Sequence, residues 1–156
     1  MDQSIYIDAN ILIGYFEKKN RDIKKIAREA ISKTQKMVRG NSEIIVKIPT
    51  IVLAEFMQWY IEDCSDEEVL SQFEALVEKL DADFPAPKKE HYELAIKLMN
   101  EDDRVNSHDA LIVSHALLDP TTTWLLTTDT VLHNNKVIEK EKKRLENRFK
   151  ISDRIG

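Results

Sequence analysis

The stretch SIYIDANILIGYF at positions 4–16 decides how the rest of the chain is read. SIYID is a short β-branched and aromatic run, and ANILIGYF follows at once with apolar residues at helical spacing, so the reading is strand, tight turn, helix. Asp8 falls at the junction, the end of a strand that enters a helix directly. Working outward, Asn20 is a candidate N-cap, and Ile23, Ile26, Ala27, Ala30 and Ile31 repeat at helical spacing over 21–38, ending near Gly40. EIIVKIP at 43–49 predicts a second strand, and Thr50 is the expected cap of an apolar helix, TIVLAEFMQWYIE. Ser65 and Glu68 have capping-box spacing before a helix striped by Val69, Leu70, Phe73, Leu76, Val77 and Leu80. DADFPAPKK predicts a short extended piece before a helix at 88–101, striped by Tyr92, Ala95, Ile96 and Met99. Asn106 or Ser107 caps DALIVSHALL, TTTWLLTT at 121–128 reads as a strand, a helical segment runs to about 147, and FKIS at 149–152 reads as a last strand. Strands alternating with helices imply parallel β-α-β connectivity, an α/β three-layer fold.

The 156 residues suffice for one compact domain, and no linker, repeat or low-complexity tract divides them, so 1–156 is read as a single unit. With 42% apolar and 33% charged residues the composition is that of a globular protein. The formal charge of −5 excludes a uniformly basic nucleic-acid coat. No apolar run reaches the ~20 residues of a membrane span, and MDQSIYID lacks the features of a signal peptide, so a cytoplasmic location is expected. The single cysteine, Cys64, permits neither an internal disulfide nor a multi-thiolate metal site. Three glycines, Gly14, Gly40 and Gly156, are too few and too scattered for a P-loop or a glycine-rich dinucleotide turn.

Four acids stand in apolar surroundings. Asp8 lies between IYI and ANILI, Glu55 is the only charge between Ile51 and Ile61, Asp109 begins DALIVSHALL, and Asp129 follows WLLTT. An ionised carboxylate buried without a partner is costly, and no Lys or Arg lies within five residues of Asp8, Glu55 or Asp129. Asp109 has Arg104 five residues before it, and its place in a first helical turn also suits the helix dipole. Asp8 and Asp129 both close strands, and such strand ends converge at the crevice of an open parallel sheet. Several carboxylates in one pocket repel each other, and a hard divalent cation such as Mg²⁺ or Mn²⁺ relieves that repulsion. Such a site supports attack of water on a phosphodiester with one or two metals.

The segments IYIDANILIGYF, PTIVLAEF, HDALIVSHAL and LLTTD, spanning 5–129 in that order, resemble the PIN-domain family of metal-dependent ribonucleases, which includes the toxins of VapBC toxin–antitoxin pairs. By this resemblance Asp8, Glu55, Asp109 and Asp129 are the catalytic, metal-holding acids, with Asn10 and Thr127 as their polar companions. Position 9 departs from the pattern, since Ala9 stands where a Thr or Ser is common. The resemblance implies a central parallel sheet of four or five strands flanked by helices, a Mg²⁺ or Mn²⁺ site, RNA cleavage, homodimerisation and an antitoxin partner.

Charge is segregated along the chain. Residues 18–39 carry nine basic and two acidic side chains, and Lys18, Lys19, Arg21, Lys24, Lys25 and Arg28 are candidates for an RNA path. Residues 136–150 carry seven basic and three acidic side chains, whereas 62–83 carry nine acids and one lysine. Solvated helix faces would look the same. His108 and His115 are seven apart on one predicted helix, and Trp59, Tyr60 and Trp124 are readable as core or as base-stacking rings. Cys64 reads as structural. Two other functions compete. A phosphatase or phospho-acceptor domain also places an Asp after its first strand, but the second acid expected two residues later is Asn10 here. A non-catalytic scaffold binding RNA or protein is the other, and a nuclease that processes RNA without an antitoxin is a variant of the leading one.

Overall fold

The computed structural model describes residues 2–156. Four parallel strands form one sheet in the order β2-β1-β3-β4: β1 (Gln3–Ile7), β2 (Ile44–Lys47), β3 (Thr122–Leu126) and β4 (Lys150–Ser152). Seven α-helices connect and flank them: α1 (Ala9–Tyr15), α2 (Arg21–Gly40), α3 (Thr50–Trp59), α4 (Glu67–Leu80), α5 (Lys89–Glu101), α6 (Ser107–Leu118) and α7 (Lys136–Arg144). The expected α/β architecture with a four-strand parallel sheet is therefore present. Helix α1 packs on α2 and α5 on α6, while α3 touches both α1 and α6 and so joins the two helical pairs. At Gly14 a Cβ would come within 3.0 Å of the Ala27 Cβ and 3.1 Å of the Ile23 Cγ2, so the close approach of α1 to α2 requires glycine there.

The chain leaves β1 to build β2 on one side and later returns to place β3 on the other. That reversal opens a crevice at the C-terminal ends of β1 and β3, where ligands bind in open parallel sheets. Ile5, Ile7, Ile11, Leu12, Val46, Phe56, Ile112, Val113, Leu125 and Leu126 are buried in the core behind it. Among the described residues no helix is long and apolar enough to cross a membrane.

Several local expectations are corrected. Thr50 is the first helical residue and not the cap: Pro49 occupies the cap position without a side-chain bond, and the Thr50 amide donates to the Pro85 carbonyl. That bond belongs to the extended piece expected in DADFPAPKK, which bridges Lys47 to Asp83 beside β2. No capping box forms at Ser65, which adopts a left-handed φ of 53° as it terminates a π-helical turn at Tyr60–Cys64. Asp66 caps α4 instead, accepting from the Glu68 amide at 3.0 Å. The π turn breaks the helix expected to run through Glu62. The buried face of α5 is Leu94, Ala95 and Leu98, so Tyr92 and Ile96 of the expected stripe point to solvent. Two apolar faces share Ala95, and packing against α6 chooses between them. Leu70 of the α4 stripe is likewise exposed.

Candidate active site

Asp8 is held more tightly than its neighbours. Its backbone amide continues the sheet by donating to the Leu126 carbonyl, and its side chain caps α1 by accepting from the Ala9 amide at 2.7 Å. The other carboxylate oxygen accepts from the Thr127 hydroxyl at 2.8 Å and the Asn10 amide at 3.2 Å. Thr127 and Asn10 are themselves linked: the Asn10 Nδ2 donates to Thr127 Oγ1 at 3.0 Å, and Asn10 Oδ1 accepts from the Thr128 amide at 2.9 Å. The Asp129 amide donates to Thr127 Oγ1 at 3.1 Å, which brings the fourth acid into the same lattice. One threonine hydroxyl thus ties the end of β1 to the turn after β3. Strand pairing alone would align Ile7 with Leu126, and these bonds carry that alignment past the strand ends into the polar edge.

The remaining acids arrive from helices. Glu55 comes from the middle of α3 and Asp109 from the first turn of α6, whose cap Asn106 accepts from the Asp109 amide at 2.8 Å. Burial raises the pKa of Asp8 above the ordinary carboxylate range, and the field of Asp129 raises it further against the lowering by its three hydrogen bonds. Glu55 is also raised, by burial first and then by Asp8, with His108 acting in the opposite direction. Asp109 is pushed up to about 8 by burial, by hydrogen bonding to Asp129, and by the fields of Asp8, Asp129 and Glu55. These mutual effects show four carboxyl groups in one electrostatic neighbourhood.

Arg104, the one nearby cation in sequence, does not serve them. Its guanidinium is bidentate on Asp102, at 3.0 and 2.8 Å. Among the described residues no Lys or Arg forms an ion pair with Asp8, Glu55, Asp109 or Asp129. Helix-dipole stabilisation therefore does not account for Asp109, whose carboxyl is driven toward protonation. Among the described residues no group of three or more His, Cys, Asp or Glu side chains stands arranged to hold a metal ion. Their chemistry nonetheless fits a hard divalent cation: the donors are all oxygens, they repel each other, and no local base neutralises them. Asp8 retains little spare capacity, because three of its roughly four acceptor positions are taken. Asp129 uses Oδ1 to accept from the Val131 amide at 2.9 Å.

Two contacts were not legible as site features in the sequence. His108 Nδ1 stands 3.7 Å from Glu55 Oε2, a contact made between α3 and α6 that no local spacing signals. His133 Nε2 lies 2.8 Å from the Thr127 carbonyl and braces the turn that carries Asp129. His115 does not join the site; it is buried against His91, with ring centroids 4.3 Å apart. Among the basic candidates, Lys18 is paired with Asp66 at 2.8 Å. Arg28 donates to the Tyr15 carbonyl at 3.1 Å and lies 4.5 Å from the centroid of that ring. Lys19, Arg21, Lys24 and Lys25 lie before or at the start of α2. Trp59 packs on Phe56, and Cys64 is half-buried in the π turn.

Comparison with known proteins agrees with the fold. No curated protein matches the chain. Nine chains of solved structures match, among them one from the crystal structure of VapBC2 from Rickettsia felis bound to a DNA fragment from their promoter. The alignment has a TM-score of 0.63 and 16% identity, and covers 96% of this chain and 98% of the other, a likeness of fold. The family model for the PIN domain matches residues 5–138, which include all four acids. The chain belongs to the PIN domain family.

Proposed function

We propose that residues 1–156 form one PIN-like domain that acts as a Mg²⁺- or Mn²⁺-dependent endoribonuclease, hydrolysing RNA phosphodiester bonds. The observation that carries this reading is that Thr127 ties Asp8 and Asp129 together at the C-terminal sheet edge, within the mutual fields of Glu55 and Asp109, and that no Lys or Arg among the described residues forms an ion pair with any of the four. A folded chain has no structural reason to keep such a group of carboxylates unneutralised. The four acids would hold one or two ions. A bound divalent cation lowers the pKa of water and stabilises charge on the leaving oxygen.

The residues of this chain set the geometry for that chemistry. Thr127 and Asn10 fix the Asp8 carboxylate in one orientation, so it enters the reaction without rearrangement. Asp129 is fixed by its own turn through the Val131 amide. Asp109, whose carboxyl is held protonated by burial first and by the neighbouring acids, would give up that proton to the solvent if a cation were held there. His108 stands beside Glu55 at the rim and orients it. The basic run at Lys18, Lys19, Arg21, Lys24, Lys25 and Arg28 would draw the RNA backbone, with Lys18 and Arg28 available only by giving up their present contacts.

The likeness to a chain of a VapBC structure supports a toxin held by an antitoxin; a cytoplasmic homodimer is part of the same proposal. The test is incubation of the purified chain with single-stranded RNA and Mn²⁺. Cleavage abolished by EDTA and by Asp129→Asn is the expected result. Cleavage that persists in EDTA, or at full rate in the folded Asp129→Asn protein, contradicts the proposal.

A further inference from the structure

Away from the four acids, a cleft of about 780 Å³ opens beside the edge strand, between β3, α7 and β4. Trp124 and Phe149 line it together with Lys142, Lys143, Arg148 and Lys150. Phe149 is buried and forms part of its wall, whereas Trp124 is half-buried. Lys142 Nζ stands 5.0 Å from the Phe149 ring centroid, and Lys150 Nζ stands 5.3 Å from that of Trp124. Two acids also line the cleft, Glu139 and Glu146, and the first is already held by Lys142 at 3.1 Å. Among the described residues Lys143, Arg148 and Lys150 form no ion pair.

We propose that this cleft is an accessory binding site for single-stranded RNA, in which an unpaired base stacks against Trp124 and the adjoining phosphates meet Lys143, Arg148 and Lys150. Cations alone would suit any polyanion. An accessible indole among cations fits a base and its phosphate together, the combination by which proteins hold unpaired nucleic acid. Trp124 lies on β3 three residues before Thr127, which follows the strand, about 10 Å at the strand rise of ~3.3 Å per residue. The proposal rests on RNA being the substrate, but it concerns binding and not cleavage.

The test is binding of a short, unstructured oligouridylate to the full chain in EDTA, read by anisotropy and by tryptophan emission. Trp59→Phe keeps a ring against Phe56 and leaves Trp124 as the sole reporter. Binding should quench Trp124. Lys143→Gln with Lys150→Gln removes two exposed cations and should lower the slope of log affinity against log salt by about 1.4. Trp124→Ala should weaken binding roughly tenfold and Trp124→Phe much less, so a folding defect in the alanine variant would not hide the result. No binding, an unquenched Trp124, or an unchanged salt slope in the double variant overturns the proposal. Equal affinity for polyglutamate with the same quenching also overturns it, assigning the cleft to an acidic peptide. Absence of cleavage in Mn²⁺ alongside retained quenching would defeat the nuclease reading and leave this one standing.

Discussion

Replacing Asp109 by Asn should stabilise the metal-free protein while destroying its site. The Asp109 carboxyl is raised from an ordinary 3.8 to about 8, so between those values the folded chain holds a proton that the unfolded chain releases. Stability therefore falls as pH rises through that window and stays low above it. A separation of about four pH units at 1.36 kcal/mol each would cost roughly 6 kcal/mol if the group were sealed from water. Asp109 is only half-buried, and solvent screening reduces the working figure to about 2 kcal/mol. Asn mimics the protonated acid and removes this cost. For a chain of this size 1 kcal/mol corresponds to about 2–4 °C, so Asp109→Asn should melt about 4–8 °C higher in EDTA near pH 7.5. Near pH 5 the advantage should shrink to about a third, because less of the window has been crossed. Scanning fluorimetry at both pH values is the assay. Mn²⁺ should raise the melting temperature of the wild type far more than that of the variant. A variant that melts at or below the wild type in EDTA at the higher pH would refute the claim that these carboxylates repel each other.

Thr127→Val, nearly the same shape, removes a buried hydroxyl that donates to Asp8 and accepts from Asn10 and the Asp129 amide; chemical denaturation should show a loss of about 2 kcal/mol, largely restored by Thr127→Ser. His115 is lowered from 6.5 to about 4, by burial first and then by His91, against a raising effect of Asp119. Because its folded pKa is depressed, its neutral form supports full stability above pH 6.5, and that support is lost as pH falls toward 4. The loss is at most about 3 kcal/mol, and His115→Phe should flatten the pH dependence of the urea midpoint within that window relative to wild type.

The strand-turn-helix at 4–16 and the order of elements after it were legible because burial imposes period-two and helical patterns on the chain itself. The four acids were legible for the complementary reason, as charges where those patterns call for apolar residues. What was not legible depends on which surfaces meet. The choice of Leu94 and Leu98 over Tyr92 and Ile96 is made by α6, and the displacement of Thr50 from the cap position accompanies the Asp83–Pro85 segment beside β2. The π turn at Tyr60–Cys64 ends in a left-handed Ser65, a backbone state that Ser-x-x-Glu spacing does not disclose. The His108–Glu55 contact spans α3 and α6, and the engagement of Arg104 with Asp102 removed the one cation that sequence distance had placed near Asp109. Basic residues 18–28 show the limit of charge counting, since Lys18 and Arg28 are already engaged within the fold.

The central claim is that Asp8, Glu55, Asp109 and Asp129 together form a divalent-cation site. Calorimetric titration of Mn²⁺ into the full chain tests it most directly, with Asp8→Asn measured alongside. Saturable uptake of one or two ions by the wild type, weakened at least tenfold in the folded variant, is the predicted result. No saturable uptake by the wild type, or equal affinity in Asp8→Asn, would contradict it.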